Sequence, residues 1–365
     1  MSRSGITPTL YDLDLNDLQS LLTSIGQPTY RAKQIWEGLY RHYWNRLEQF
    51  SSLPHSLQQQ IAKHFSTDPD ADFTSLKSGA VLRSSDGETS KSLFHLRDGL
   101  AVEAVLMRYE NRRTLCISTQ AGCAMGCVFC ATGQMGFKRN LSSGEIVEQV
   151  LYFARQLSEI GEEVTNVVIM GMGEPFHNYG ATLAAVDRLN HPEGYNFGAR
   201  RFTISTVGLV PAIHRFTKEH RQVNLAISLH ASNDELRNRL LPINRKYPLD
   251  ELFAACVEYV HATRRRVTFE WALINGINDL TEHARQLAER LKVFRTDKAM
   301  LCHVNIIQLN PTHKYSGQAS TRQRAIEFKS EVEKHGIACT IRLRRGIDIQ
   351  AGCGQLATLA TAAEQ

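Results

Sequence analysis

The sequence predicts an α/β fold: a partial (β/α)6 barrel with a small N-terminal helical accessory domain and a β-hairpin leading into the barrel. Three observations predict it. From residue 112 onward, short apolar runs alternate with helix-like segments, the pattern of βαβ crossovers and a parallel sheet. Six such strand runs are too few to close an eight-stranded barrel, so the sheet is expected to stay open. Residues with chemical character collect where those strands end, the side on which parallel α/β barrels build their sites. A chain of 365 residues has ample length for one large core, and 42% hydrophobic with 22% charged residues is ordinary globular composition.

Taken in order, residues 1–90 read as the helical domain. Asp14 to Leu18 opens an amphipathic helix with acidic residues in its first turn, and Gly26 and Pro28 break it. Tyr30–Tyr43 is a second helix, with Ile35, Leu39, Tyr40 and Tyr43 on its apolar face, and Pro54 begins a third through Phe65. Basic residues here are scattered rather than clustered, which favours a structural cap over an RNA-gripping module. Residues 91–111 form the hairpin: Ser92–Leu96 and Ala101–Met107 flank the turn dipeptide Asp98-Gly99. Glu103 sits among apolar residues in its second strand, and on the residues alone it reads as solvent-facing, as most strand carboxylates are.

The barrel is expected over 112–345. Its strands are Thr114–Thr119, Asn166–Met170, Phe202–Ser205, Asn224–Leu229, Thr268–Leu273 and Val304–Leu309, with a seventh at Cys339–Leu343. The intervening helices include Glu145–Glu159, Ala181–Leu189, Leu209–Glu219, Leu249–Thr263 and Glu282–Val293, followed by Gln323–His335. A C-terminal segment, 346–365, completes the chain. No internal repeat or low-complexity linker is visible.

The N-terminus lacks an apolar signal core, and no apolar run approaches the roughly 18 residues of a membrane span. The net charge of +5 is compatible with nucleic acid but shared by many cytoplasmic enzymes. Eight cysteines, unpatterned apart from one trio, point to a reducing cytoplasm.

That trio, Cys123-Ala-Met-Gly-Cys127-Val-Phe-Cys130, is the strongest local signal. Disulfides between such close neighbours would close small, strained loops. Zinc wants a fourth ligand that finger-like spacing does not supply. An iron–sulfur cluster normally takes four cysteines, so three leave one iron open to a substrate or cofactor. Other strand ends point to the same place: Gly171-Met172-Gly173-Glu174-Pro175 after the second strand, Ser205-Thr206-Val207-Gly208 after the third, and Ser228-Leu229-His230 at the fourth. Asn310-Pro311 ends the sixth, and Arg344 to Gln355 follows the seventh. Convergence of many strand ends counts for more than any single motif. Arg264-Arg265-Arg266 precedes a strand and reads as a solvated face at the barrel bottom. Arg342, Arg344 and Arg345, with Lys138 and Arg139, lie on the site side as candidate phosphate contacts.

The cysteine trio after a first barrel strand, followed by Gly-Met-Gly-Glu-Pro after the second, resembles the radical S-adenosylmethionine superfamily. Arg113-Thr114-Leu115-Cys116, Gly136-Phe137-Lys138-Arg139-Asn140-Leu141 and Ala351-Gly352-Cys353-Gly354-Gln355-Leu356 narrow the resemblance to the RlmN/Cfr family of RNA adenine methyltransferases, over roughly residues 10–357. The resemblance implies that Cys123, Cys127 and Cys130 hold a [4Fe-4S] cluster. It implies S-adenosyl-L-methionine on the open iron, as methyl donor and radical source, contacted by Gly173, Glu174, Ser205, Ser228, Leu229, His230 and Asn310. Glycine at 171 and 173 would let backbone approach the cofactor. Cys353 matches the family's methyl carrier, Cys116 the resolving thiol that forms a transient disulfide with it, and Glu103 the proton acceptor. Cys256, Cys302 and Cys339 read as core packing.

The implied substrate is an adenine in 23S rRNA, and by extension tRNA, in single-stranded or loop RNA. Methylation at C2 is expected, with methylation at C8, which confers antibiotic resistance, as the alternative that the residues themselves do not separate. A radical activase or a structural iron–sulfur RNA-binding protein would need neither Cys116 nor Cys353. A cytoplasmic monomer reduced by a flavodoxin or ferredoxin is expected. Two departures from the family pattern stand out: Gly352 replaces an alanine common in relatives, and Thr312-His313-Lys314-Tyr315-Ser316 replaces a Phe-Pro-Gly run.

Overall fold

The computed structural model describes residues 8–65, 73–297 and 299–358. The ends of the first and last expected regions therefore lie outside the described residues. Three helices come first: α1 (Leu15–Ser24), α2 (Tyr30–Tyr40) and α3 (His55–Phe65). Asp14 caps α1 by accepting the Asp17 amide at 2.8 Å, while Asp17 reaches back to the Asp14 amide, a reciprocal capping box worth about 1 kcal/mol. Helix α2 stops three residues short of Tyr43, which has a left-handed backbone, φ 56°.

The module is docked firmly. Trp36 meets His191 edge-on at 5.2 Å and Tyr43 meets Tyr195 at 5.7 Å. The Arg155 Nε–H donates to the Tyr43 carbonyl at 2.7 Å, and Asp12 accepts the Gly144 amide at 2.7 Å. These aromatic and hydrogen-bonded contacts tie the module to the barrel.

Next come β1 (Leu76–Arg83), β2 (Thr89–Leu96), β3 (Ala101–Tyr109) and β4 (Arg112–Cys116), an antiparallel meander. The β2–β3 hairpin was expected; β1, inside the region read as helical, was not. The small ribbon of β5 (Gln120–Gly122) and β6 (Phe137–Asn140) brackets the cysteine trio and the one-turn helix α4 (Ala131–Gln134).

The barrel then alternates as expected: α5 (Ser143–Ser158), β7 (Asn166–Ile169), α6 (Tyr179–Asn190), β8 (Phe202–Thr206), α7 (Val210–Lys218), β9 (Asn224–Ser228), α8 (Asp234–Leu240), α9 (Leu249–Thr263), β10 (Val267–Leu273), α10 (Thr281–Leu291), β11 (Cys302–Gln308), α11 (Arg322–Lys334) and β12 (Cys339–Ile341). The sheet order is β1-β2-β3-β4-β7-β8-β9-β10-β11-β12, parallel from β4 to β12. The edges β1 and β12 do not pair, so the barrel is open. Helix α8, only seven residues long, was not expected from the sequence.

Alternating and near-continuous apolar strands put Val267, Phe269, Trp271 and Leu273 of β10 wholly inside, where Phe253 of α9 stacks on Phe269 at 5.6 Å. Cys256, Cys302 and Cys339 are buried in this core, as expected. No helix among the described residues is long and apolar enough to cross a membrane.

Candidate active site

The carboxyl ends of the parallel strands open onto one cavity, the position in which α/β barrels build their sites. Its walls carry Cys123, Cys127 and Cys130 from the loop after β5, Cys116 from the end of β4, and Cys353 from the C-terminal segment. Gly173, Glu174, Ser205, Ser228, His230 and Asn310 line it as well. The sequence-predicted site residues are thus brought together, with two exceptions.

The first exception is Leu229. Its side chain is buried in the core away from the cavity lining. Its amide donates to the Glu270 carbonyl at 3.0 Å and its carbonyl accepts from Arg237, so its backbone is engaged within the protein. The second is Glu103, which is buried but neither solvent-facing nor on the cavity wall. Its carboxylate pairs with Lys91 at 3.0 Å and accepts the Ala357 amide at 3.0 Å. Strand alternation alone does not reveal that the C-terminal segment covers this face of β3.

The glycines of the loop after β7 have a reason other than cofactor approach. A Cβ on Gly171 would lie 2.6 Å from the Ile117 carbonyl oxygen, and one on Gly173, which has φ +100°, would lie 2.5 Å from Gln120. Both are required because the chain after β4 crosses there in contact. That packing is completed by Ser118 Oγ accepting the Met172 amide at 2.8 Å and Gln120 Oε1 accepting the Glu174 amide at 2.8 Å. Glu174 in turn accepts the Phe176 and Val207 amides at 3.0 and 2.9 Å. Burial nevertheless dominates and pushes its carboxyl up to about 7.

His230 has φ 60° and accepts the Ala272 amide on Nδ1 at 2.9 Å. The acceptor role at Nδ1 places the proton of the neutral ring on Nε2. Burial, with the Arg237 charge behind it, drives its pKa down to about 3, so the ring stays neutral across the physiological range. Ser205 and Ser228 oppose each other at 3.3 Å on β8 and β9. Asn310 bridges two parts of the wall, donating to the Cys353 carbonyl at 3.1 Å and accepting Arg344 Nε–H at 3.0 Å.

All eight cysteines are free thiols, Cys116 and Cys353, the pair expected to join only transiently, among them. Cys353 is exposed and Cys116 buried. Burial, reinforced by Cys353 nearby and opposed by Arg342, pushes the Cys116 thiol up to about 12. Among the described residues no three His, Cys, Asp or Glu side chains converge where a single metal ion would sit. The trio instead lines the cavity without meeting at a point, which suits a multi-iron cluster whose irons each take one thiolate. Burial raises all three thiol pKa values, so a cationic group is needed to hold them as thiolates.

The expected phosphate contacts are mostly engaged inside the protein. Arg139 is held by Glu145 at 2.8 Å and Asp98 at 2.5 Å. Arg342 pairs with Glu270 at 3.3 Å, and Arg345 stacks 4.8 Å from the Tyr109 ring, 3.9 Å from Asp86 and Glu88. Apart from Glu145, six residues from Arg139, their acidic partners are distant in sequence and so were invisible to a motif reading. Lys138 remains exposed beside Phe137, and Leu343 is 72% exposed at the cavity mouth. Arg265 bonds Asn224 at 2.7 Å at the opposite end of the sheet, consistent with the bottom placement. The departing loop at 312–316 folds back on the site, with Tyr315 edge-on to Phe129 at 6.4 Å.

Sequence reasoning missed Arg237, Lys91 and Glu270. Arg237 lies on α8, whose Asn233 cap followed by Asp234-Glu235 was a readable start signal. Nothing local marks the other two.

Comparison with known proteins gives consistent matches. The Radical SAM superfamily matches residues 117–291, and the Ribosomal RNA large subunit methyltransferase N-terminal domain matches residues 9–66. A probable dual-specificity RNA methyltransferase RlmN of Chloroflexus aurantiacus is 46% identical, covering 95% of this chain and 92% of its own. Dual-specificity RNA methyltransferase RlmN 1 of Myxococcus xanthus is 45% identical, covering 97% and 95%. The crystal structure of a radical SAM methyltransferase from Sphaerobacter thermophilus superposes with a TM-score of 0.90 at 48% identity, covering 95% of this chain and 98% of that one.

Proposed function

This chain belongs to the RlmN family of radical S-adenosylmethionine RNA methyltransferases, and on that premise we propose that it methylates C2 of an adenine in 23S rRNA and in tRNA. The observation that carries the reading is one cavity shared by the cluster-type trio and two further thiols, Cys116 and Cys353. Neither a radical activase nor a structural cluster protein needs that second pair. The names of the relatives do not favour the C8 alternative.

When bound, the [4Fe-4S] cluster and S-adenosylmethionine supply the methyl group and one-electron cleavage chemistry. The residues do the rest. Cys123, Cys127 and Cys130 hold the cluster at the buried end. Glu174, His230 and the Ser205–Ser228 pair orient the cofactor from the strand ends, His230 as a neutral Nε2–H donor. Cys353 carries the methyl group at the open end, and Cys116 behind it attacks the Cys353 sulfur to free the methylated base. RNA approaches over exposed Leu343, Phe137 and Lys138. The proposal extends to a cytoplasmic monomer reduced by a flavodoxin or ferredoxin, with 1–90 as accessory domain, 91–111 as hairpin extension, 112–345 as barrel and 346–365 as carrier segment.

Anaerobic incubation of the reconstituted protein with 23S rRNA fragments and tRNA, followed by mass spectrometry of the nucleosides, tests this directly. The expected product is 2-methyladenosine in both RNAs. 8-Methyladenosine would replace the C2 assignment, and unmodified RNA with S-adenosylmethionine left intact would overturn the reading.

Glu174 adds a pH dependence. Its carboxyl is raised in the folded chain from 4.5 to about 7. The stability this contributes is present below pH 4.5 and is lost as pH rises through 7. Accepting a hydrogen bond from the cofactor's amino group would favour the carboxylate, so binding opposes protonation. Calorimetric affinity for S-adenosylmethionine is expected to weaken about tenfold per pH unit below 7, and a Glu174→Gln variant to lose that slope.

A further inference from the structure

Lys91 on β2 and Glu103 on β3 face each other diagonally, since Glu103 registers with Leu93 and Lys91 with Val105. Their side chains are only 9% and 6% exposed, and Lys91 Nζ lies 3.0 Å from Glu103 Oε1. A buried ion pair holds only when further hydrogen bonds complete it. Here the completing bonds come from a single distant segment. Lys91 Nζ donates to the Gln350 carbonyl at 3.3 Å, and Glu103 Oε2 accepts the Ala357 amide at 3.0 Å. Gln350 and Ala357 bracket Cys353 on either side.

Between those two anchors the segment has no regular secondary structure. Gln350 itself adopts φ 52°, a left-handed conformation that a non-glycine residue keeps only when its surroundings enforce it. Other bonds fix the middle: Ala131 donates to the Gly354 carbonyl at 2.7 Å and Thr132 to the Leu356 carbonyl at 2.6 Å. The two ends rest on the hairpin, outside the parallel barrel.

We propose that Lys91 and Glu103 form a clasp that closes both ends of the 350–357 segment and thereby holds Cys353 at the cavity mouth within reach of Cys116. They are positioning residues. Both Glu103 oxygens are already engaged, one by an ammonium and one by an amide, and neither side chain lines the cavity. The inference rests on the reading of Cys353 as methyl carrier for its functional meaning, but its structural content stands apart from that reading.

The test uses the full-length protein and three variants: Glu103→Gln, Lys91→Met and the double variant. Hydrogen exchange is followed in the 350–357 peptide without cofactor or RNA, and Cys353 methylation and RNA methylation are measured in the loaded enzyme. Each single variant leaves one buried charge unpaired. Its 350–357 peptide is expected to exchange at least about tenfold faster, with both methylations falling in step. The double variant removes both charges and keeps an oxygen for the Ala357 amide, so it is expected to regain most of the protection and both activities.

Wild-type protection in Glu103→Gln, with RNA methylation lost and not regained in the double variant, would overturn the clasp in favour of acid–base chemistry. Equal loss of protection in the β10 peptide, 267–273, would also overturn it by assigning the pair to global stability. The exchange result is unaffected by the identity of the methylated base. Loss of the clasp and failure of the proposed function are therefore separately visible.

Discussion

Replacing Cys353 by alanine is expected to abolish RNA methylation, to below about one part in a thousand of the normal rate, and to leave no covalent protein–RNA species. Replacing Cys116 by alanine is expected to abolish turnover equally but to accumulate protein bound covalently to RNA. The asymmetry follows from where the two thiols sit. An sp2 ring carbon of adenine is electrophilic, so direct transfer from a sulfonium fails and the methyl group must first be parked on a nucleophile. Cys353 is exposed on a loop at the cavity edge, and in the proposed reaction it receives a methyl group and presents it to a base. Cys116 is buried at the end of β4, and in the proposed reaction it acts on the Cys353 sulfur. Its attack forms an S–S bond to Cys353 while the bond from that sulfur to the RNA-bound carbon breaks. Burial holds the Cys116 thiol near 12, so its reactive thiolate is scarce and adduct decay should quicken about tenfold per pH unit in the neutral range. Denaturing gel electrophoresis shows the adduct, and nucleoside mass spectrometry the product. Normal product formation by the Cys353→Ala protein, or no adduct from Cys116→Ala, would remove both roles.

What the sequence made legible follows from where the signal was local. Val, Ile and Phe runs in β8 to β11 placed the parallel strands within a residue or two, and Asp98-Gly99 announced the β2–β3 turn. Strand β1 was illegible because it is an edge strand with Lys77, Ser78, Gly79 and mostly exposed positions, and its register shifts between Ser78 and Val81. The ribbon β5–β6 is too short to show periodicity. The cysteine trio was legible as a candidate cluster site because thiols as close together as Cys123, Cys127 and Cys130 can neither pair without strain nor complete a zinc site. The use of Gly171 and Gly173 was not, because the Ile117 and Gln120 atoms they must clear come from another part of the chain. Arg139 and Arg342 carried the same lesson: charge near a site looks free until Asp98, Glu145 or Glu270 is folded against it.

The residue with the largest expected effect on stability had no motif at all. Arg237 is wholly buried, and among the described residues no carboxylate pairs with it directly. Its guanidinium instead gathers backbone oxygens left over at the strand ends. Nε–H donates to the Leu229 carbonyl at 3.1 Å, while Nη2–H donates to Val207 at 2.6 Å and Ser228 at 3.2 Å. Nη1 donates to Asn244 Oδ1 at 2.8 Å. Where β8 and β9 end, these carbonyls have no next rung of the sheet, and a planar fork of donors satisfies them together.

Arg237→Leu would strand several buried acceptors at about 1–3 kcal/mol each, offset in part by removing a buried charge. The expected net loss is about 3–5 kcal/mol, enough to lower the melting temperature of the cluster-free protein by several degrees. Arg237→Lys should recover little, since one ammonium cannot span the same four oxygens. Calorimetry on the cluster-free protein measures this apart from iron content. Burial lowers the Arg237 pKa only to about 10, so the side chain stays cationic at neutral pH, with the Cys127 thiol within its field. If Arg237→Leu were as stable as the parent chain, the carbonyls would have found other partners. The charge would then be retained for the anionic cluster held by Cys127, and iron content, not melting temperature, would record its loss.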